Sequence, residues 1–344
     1  MTAVAQFRRH WRPIRRQPLF TAALIAVALL VFSFATSGGD PGLFGITVLS
    51  GLFQGMLLFM VAAGLSIVFG LMGVLNFAQG SYFMIGAYVC YAIHHAPGLV
   101  AAIPDGNLRF LLAAGAAALV GAGLGAALER LLLRPLYARP VFQIVLTFGV
   151  AIVISEAVKA IYGTTPYSWT AAFTFHDGSF SLFGQVFSTY RLLVIGVGLA
   201  LIGATLLLLH RSRLGIIIRA GVQDSQMVEA LGINVRAVFT LVFALGCAIA
   251  AFGGAVAAPF LGVSTDLANN FLLAAIAVVA LGGLGSFAGT AVASVLVGLA
   301  VATVARFASQ YLNQPVWADL TPMILLTLVL LARPHGLFGK EGHA

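Results

Sequence analysis

A short polar run interrupts two apolar stretches at residues 75 to 88, where the sequence reads LNFAQGSYFMIGAY. The side chains of Asn76, Gln79 and Ser81 can bind a solute by hydrogen bonds. Burying such groups in lipid costs free energy unless they are paired, so they should face a bundle interior or a wet cavity. A helix break near Gly80 would free backbone groups to line a solute pathway. The alternative is a cytoplasmic turn with interfacial polar residues, and the residues alone favour neither.

A second informative pattern lies in residues 211 to 234, RSRLGIIIRAGVQDSQMVEALGIN. Helical spacing predicts a short amphipathic helix, with an apolar and a polar face. The apolar face has Ala220, Met227, Ala230 and Leu231, and the polar face has Ser225, Gln226 and Glu229. Gly232 stands where a helix commonly ends in a left-handed conformation. The helix has few large hydrophobes for lying on a membrane surface, so we favour docking in a groove of another protein.

Sequence patterns for catalysis, nucleotide binding and metal binding are absent. The chain has no GxxxxGK[ST], HExxH or GxSxG motif, which argues against an ATPase, a metalloprotease or a serine hydrolase. The GxGxxA spacing within residues 281 to 290 has no acidic residue about 20 positions on, so a tight helix joint is the better interpretation. Cys90 and Cys247 lie in apolar runs and are interpreted as small buried hydrophobes. We predict no catalytic residue, no metal and no cofactor.

The composition indicates a membrane protein. Of the 344 residues, 61% are apolar and 8% are charged, against about 25% charged in soluble domains. Apolar runs near the 20 residues that cross a bilayer predict an all-α polytopic transmembrane helical bundle of about 8 to 10 spans. The candidate spans are 19 to 35, 43 to 70, 78 to 94, 109 to 127, 141 to 161, 190 to 210, 237 to 260, 268 to 282, 287 to 310 and 319 to 332.

The distribution of basic residues predicts the orientation. Most of the 18 Lys and Arg fall in alternate connections, which places both termini in the cytoplasm. The net charge of +8 is explained by this topology, since the basic residues are not interleaved with aromatics as nucleic-acid binding would need. The predicted organisation is a basic cytoplasmic tail over residues 1 to 18, a transmembrane domain over 19 to 334 that contains a cytoplasmic loop at 211 to 236, and a cytoplasmic C-terminal tail over 335 to 344.

The ends and the outer loops carry two further expectations. The basic start followed by the run 19 to 35 could be a signal peptide, but the run is longer than a usual h-region and many spans follow, so we predict an uncleaved first helix. The arginines before it can rest on anionic lipid. Residues 162 to 189 form the longest external segment, which we expect to be irregular and to dock an external partner.

The polar run and the amphipathic segment resemble the permease subunits of bacterial branched-chain amino-acid ATP-binding-cassette importers. The resemblance extends from about residue 43 to 340 and includes RSRLG, MVEALGIN, AVVALGGLGSFAGT and RPHGLFGK. Two features depart from the family. Members usually have His where this chain has Gln79, and the arginine-rich extension with a leading span, residues 1 to 42, is longer than expected.

The resemblance implies a multi-pass subunit of the bacterial inner membrane that transports branched-chain amino acids by alternating access. Its expected partners are two cytoplasmic ATPases, a second related permease or another copy of itself, and an extracytoplasmic solute-binding protein. By position the coupling helix that contacts an ATPase contains Asp224, Met227, Glu229, Ala230, Leu231 and Gly232. The implied pathway residues are Asn76, Gln79, Ser81 and Tyr82.

Three alternatives remain open to the sequence. The same architecture could carry urea, short amides or aromatic acids, since the resemblance specifies the machine more tightly than its cargo. A stand-alone channel or secondary carrier would give solute flux without ATPases, although few ionisable residues lie at membrane depth. An intramembrane enzyme would need a nucleophile and a base at a recognisable spacing, and the sequence has none.

Overall fold

The computed structural model describes residues 18–170, 178–182, 184–212, 215–217, 220, 225–230, 232, 234–314 and 316–339. The helices are α1 (Pro18–Thr36), α2 (Pro41–Met72), α3 (Gln79–His94), α4 (Pro97–Ala102), α5 (Gly106–Leu128), α6 (Pro140–Tyr162), α7 (Thr189–Arg211), α8 (Ser225–Ala230), α9 (Val235–Leu261), α10 (Leu267–Gly282), α11 (Phe287–Phe307) and α12 (Val316–Ala332). Wider π-helical turns extend α5 over Glu129–Leu133 and α11 over Ala308–Leu312. Strands β1 (Ser179–Leu182) and β2 (Gln185–Ser188) pair antiparallel.

The helical bundle confirms the predicted fold class. Each predicted span falls on one helix, with boundaries that agree to within a few residues. In the described part of the chain, seven helices are long and apolar enough to cross a membrane. Helices α3 and α10 have 16 residues each and α12 has 17, which is below the about 20 that a full crossing needs.

Local capping explains where the long helices begin. The side chain of Asp40 accepts a hydrogen bond from the Gly42 backbone N–H at 2.8 Å, and Pro41 occupies the first helical position of α2. Asn234 caps α9 in the same way, through the Ala237 N–H at 3.0 Å. Helix α2 ends at Gly73, whose φ of 67° is left-handed. The sequence therefore sets these ends locally, before any packing is considered.

The core is built around α2 and α9, which cross each other where Gly64 meets Gly246. Helix α2 packs closely against α11 through Gly55 and Gly298, and α9 packs against α5 through Cys247 and Gly125. The order long helix, short helix, long helix thus occurs twice, as α2–α3–α5 and as α9–α10–α11. Because the predicted topology runs α2 inward and α9 outward, the two units have opposite orientations, an arrangement common in transporters.

The periphery exposes apolar side chains. In the spans of α1, α6 and α7 only 17% of the residues are buried within the chain. The exposed set on α6 includes Val141, Val145, Phe148, Ile152 and Val153. An apolar surface of this extent needs lipid or another membrane helix to cover it.

The outer connection between α6 and α7 is more ordered than predicted. We expected irregular structure over residues 162 to 189, and the strand pair β1–β2 corrects that expectation. Phe180 pairs with Phe187 in the register of the two strands, with ring centroids 5.8 Å apart, and Gly184 adopts the positive φ of 80° needed at the turn. Residues 171 to 177 of this connection, and the tails 1 to 17 and 340 to 344, lie outside the described residues.

Candidate functional site

The polar run forms the connection between α2 and α3. Residues 73 to 78 are not helical, and the side chains of Asn76 and Gln79 are fully buried. Gln79 contacts Gly246, which lies about three turns into α9, roughly 16 Å from the start of that helix. The connection therefore lies inside the bundle, buried between α2 and α9. A turn at the membrane interface would instead leave these polar side chains exposed to water.

Hydrogen bonds within the chain pair the buried amides. The Asn76 Nδ2 group donates to Gln79 Oε1 at 3.1 Å, and Gln79 Nε2 donates to the Gly246 carbonyl oxygen at 2.9 Å. The Asn76 Oδ1 atom accepts from the Ala78 backbone N–H at 3.1 Å. Gly64 leaves room for this arrangement, since a Cβ at that position would lie 2.1 Å from Gln79 Nε2. The two amides thus satisfy each other and the backbone, as burial at this depth requires.

Helices α6 and α9 hold the rest of the predicted pathway set. Ser81 donates to the Ala151 carbonyl oxygen of α6 at 3.3 Å, and Tyr82 packs in a buried cluster with Cys247 of α9. Thr147 of α6 accepts a hydrogen bond from the Phe77 backbone N–H at 3.2 Å. The structure therefore brings all four predicted residues together at the start of α3. All are buried in this conformation, and their contact with solute stays a prediction.

Substitutions of Gln79 should separate its polar role from its volume. We expect Gln79→Leu to lower the free energy of unfolding by about 1 to 2 kcal/mol, because it leaves the Asn76 amide without its acceptor in a buried site. Gln79→His should retain most of the stability, since an imidazole N–H can donate to the Gly246 oxygen. Thermal unfolding of the purified protein in detergent measures both variants. Equal midpoints for Leu and Gln would contradict the assigned hydrogen bonds.

The predicted coupling helix contains a regular helix, α8. Gly232 follows it with a φ of 80°, and the Gly232 N–H donates to the Glu229 carbonyl oxygen at 2.9 Å, as predicted for a helix end. Val228 is buried, whereas Met227 is 60% exposed and Glu229 is also exposed. The face of α8 that packs against the bundle is therefore the one that bears Val228. Asp224 and Leu231 lie outside the described residues, as does the side chain of Ala230.

A buried carboxylate that the sequence analysis did not identify lies beside the start of α9. Glu129 is fully buried and accepts hydrogen bonds from the Tyr137 and Thr240 hydroxyl groups. The Arg134 Nε atom is 3.5 Å from the Glu129 carboxylate, and Arg134 Nη2 donates to Thr240 Oγ1 at 3.0 Å. Burial and the hydrogen bond to Glu129 raise the pKa of Tyr137, so the phenol stays protonated and donates. In the sequence, the signal for this cluster was Glu129 itself, an acidic residue in a connection that otherwise carries arginines.

The Glu129 cluster connects two elements on the predicted cytoplasmic side. Glu129 belongs to the π-helical extension of α5, Arg134 begins the 3₁₀ turn Arg134–Leu136 that follows it, and Thr240 belongs to the second turn of α9. Since α8 precedes α9 by only a few residues, a displacement of α8 would reach the end of α5 through these contacts. Buried charged groups that are held by several hydrogen bonds favour one geometry over others. The cluster thus makes α5 and α9 one mechanical unit at this end.

On the opposite side, aromatic rings close the outer end of α3. The Trp169 ring lies 4.8 Å from the His94 ring and 5.0 Å from the His95 ring, measured between centroids. Arg109 Nη1 donates to the Ile103 carbonyl oxygen at 2.9 Å. Among the described residues, no group of three or more His, Cys, Asp or Glu side chains could hold a metal ion.

Comparisons with known proteins agree with this architecture. Residues 47–331 match the family model for the permease component of branched-chain amino acid transport systems. The high-affinity branched-chain amino acid transport system permease protein BraD of Pseudomonas aeruginosa is 32% identical over 308 residues, which cover 85% of this chain and 95% of BraD. The corresponding LivH protein of Escherichia coli is 30% identical over 82% of this chain and 91% of LivH. LivM of Escherichia coli is 26% identical over 94% of this chain and 75% of LivM.

Proposed function

The chain belongs to the family of permease components of branched-chain amino acid transport systems, and from that premise we propose that it carries branched-chain amino acids inward across the cell inner membrane. The observation that carries the proposal is the match over residues 47–331, which includes the whole bundle from α3 to α11 and nearly all of α2 and α12. The match also includes α8 and the two 16-residue helices α3 and α10. The chain acts as a transport subunit, and ATP hydrolysis belongs to separate ATPase subunits.

We propose that the complete importer contains two ATPases, a second related permease or a second copy of this chain, and an extracytoplasmic solute-binding protein. Similarity to both LivH and LivM of one organism supports pairing with a related permease. The exposed apolar surfaces of α1, α6 and α7 are suited to lipid and to a second permease. The exposed Met227 of α8, on the predicted cytoplasmic side, is suited to the groove of an ATPase.

In the proposed mechanism, closure of the ATPases moves α8 and thereby α9. Gly232 follows α8 and Asn234 caps α9, so only a few residues separate the two helices, and the Glu129 cluster passes the movement on to α5. Helix α9 also bears Gly246, the acceptor of the Gln79 amide. A shift of α9 would therefore break the hydrogen bond from Gln79 to Gly246 and let the amides of Asn76 and Gln79 take other partners. We propose that Asn76, Gln79, Ser81 and Tyr82 lie beside the pathway and form its closed side in this conformation.

Uptake by the reconstituted complex tests the proposed function. Proteoliposomes holding both permeases and the ATPases, with the solute-binding protein and leucine on the opposite side, should accumulate leucine only when ATP is present on the ATPase side. Omitting the ATPases, or replacing ATP with a non-hydrolysable analogue, should abolish accumulation. Leucine flux through the purified chain alone would contradict the proposal in favour of a channel or secondary carrier. Accumulation of urea, a short amide or an aromatic acid in place of leucine would contradict the proposed cargo.

A further inference from the structure

A cavity of about 490 Å³ lies between α2, α10, α11 and α12. Asp319, in the first turn of α12, stands at the predicted external mouth of the cavity. Gln54 lines the cavity from α2, about 20 Å along that helix from its outer end at Pro41. The volume falls in the range of pockets that hold small molecules, about 300 to 1,000 Å³. The cavity therefore leads from the outer surface toward the middle of the bundle.

Three polar side chains face this cavity, namely Gln54, Asn270 and Asp319. Within the part of the chain that the structure describes, none of the three side chains has a hydrogen-bond or ion-pair partner. The amides of Asn76 and Gln79, by contrast, are paired with each other and with the backbone. Gln54 is half-buried and Asn270 and Asp319 are exposed, so their polar atoms are accessible to a ligand that enters the cavity. The cavity thus presents hydrogen-bonding capacity that the chain itself does not use.

The remaining walls of the cavity are apolar. Leu58, Phe271, Val301 and Met323 surround the polar groups, and Met323 offers an adaptable side chain for an irregular fit. A carboxylate can bind an ammonium group by a charge-assisted hydrogen bond, and amide NH₂ groups can donate to a carboxylate. One acid, two amides and aliphatic walls together match a molecule that has an ammonium group, a carboxylate and an apolar side chain.

We infer that this cavity is a transit site for a zwitterionic amino acid with an aliphatic side chain, with Asp319 receiving the ammonium group and Gln54 and Asn270 the carboxylate. The inference rests on the proposed transport function and adds a site outside the Asn76 set. Dicarboxylic amino acids would be disfavoured by the charge of Asp319.

The test uses a cysteine at the wall of the cavity in the complete reconstituted importer. Ala274 lines the cavity and is half-buried, whereas the native Cys90 and Cys247 are buried, so a small methanethiosulfonate reagent should label this chain in the Ala274→Cys complex and leave it unlabelled in the parent complex. Leucine should slow the labelling. Two analogues, 4-methylpentanoate without the ammonium group and 3-methylbutylamine without the carboxylate, should protect less well than leucine. Comparing protection by these analogues with protection by leucine separates the contributions of the ammonium and carboxylate contacts from that of the aliphatic chain.

Asp319→Asn in the Ala274→Cys background should raise the leucine concentration that halves the labelling rate about tenfold, because a charge-assisted hydrogen bond is lost. Asp319→Glu should restore protection in part. Glu156→Gln is the matched control, since it neutralises another acid at the predicted outer end of a helix, outside the cavity, where Glu156 pairs with Lys159 at 2.7 Å. Protection in this control should equal that of the parent.

Three results would overturn the inference. They are no protection by leucine, equal effects of Asp319→Asn and Glu156→Gln, and a cysteine at position 274 that never reacts because a partner covers the cavity. ATP-dependent leucine uptake by the parent complex is measured in parallel. If uptake is normal and protection fails, the transit site is wrong and the proposed function stands. If the parent complex does not accumulate leucine, the proposed function itself is wrong.

Discussion

Replacing Met227 with Arg is expected to reduce association of the ATPases at least about tenfold and to abolish most ATP-dependent uptake. Met227 is 60% exposed on α8, and its long apolar side chain is suited to a hydrophobic groove of a partner. Burying an unpaired arginine in such a groove costs several kcal/mol, far more than the lost apolar contact alone. Co-purification of the ATPases with the permease, followed by leucine uptake in proteoliposomes, measures both consequences.

Matched variants distinguish docking from general damage to the loop. Met227→Leu keeps an apolar side chain of similar volume and should retain association within about twofold. Glu229→Arg, two residues further along α8 and also exposed, should weaken association as well, because it reverses a charge on the surface of the same short helix. Membrane insertion and thermal stability should be unchanged in every variant. Normal ATPase association for Met227→Arg would remove the assignment of α8 as the coupling helix.

The spans and the helix ends could be predicted because each depends on a short stretch of sequence. An apolar run of membrane length needs no tertiary information, and the caps at Asp40 and Asn234 depend on neighbours two or three residues away. The end of α8 at Gly232 was predictable for the same reason. Local chemistry was therefore a reliable guide to element boundaries.

The pairing of the polar groups could not be predicted, because it joins distant parts of the chain. The Gln79 amide bonds a carbonyl 167 positions away, and the Glu129 carboxylate bonds a hydroxyl 111 positions away. Single-sequence patterns contain no information on which helices meet. The face of α8 shows the same limit, since helical spacing put Met227 on the apolar face, while packing against the bundle buries Val228. Tertiary contacts decide both questions.

Small residues at the helix crossings hold the polar connection at its depth. A Cβ on Gly86 of α3 would lie 1.8 Å from the Ala251 carbonyl oxygen of α9, and a Cβ on Gly254 of α9 would lie 1.8 Å from the Phe83 carbonyl oxygen of α3. Both obstacles are backbone atoms, which cannot rotate away. In lipid, close backbone approach is a main source of helix association. The position of α3, and with it that of Gln79, therefore depends on these glycines.

Gly86→Ala is accordingly expected to lower the free energy of unfolding by at least about 2 kcal/mol, since one methyl group must push α3 away from α9. Gly123→Ala on α5 is the matched control, because a Cβ there meets nothing within 4 Å. It should be neutral or should stabilise by up to about 1 kcal/mol through helix propensity. Thermal unfolding in detergent and leucine uptake should fall together for Gly86→Ala. Equal unfolding midpoints for the two variants would mean that α3 is not held against α9, and the buried position of Asn76 and Gln79 would lose its structural basis.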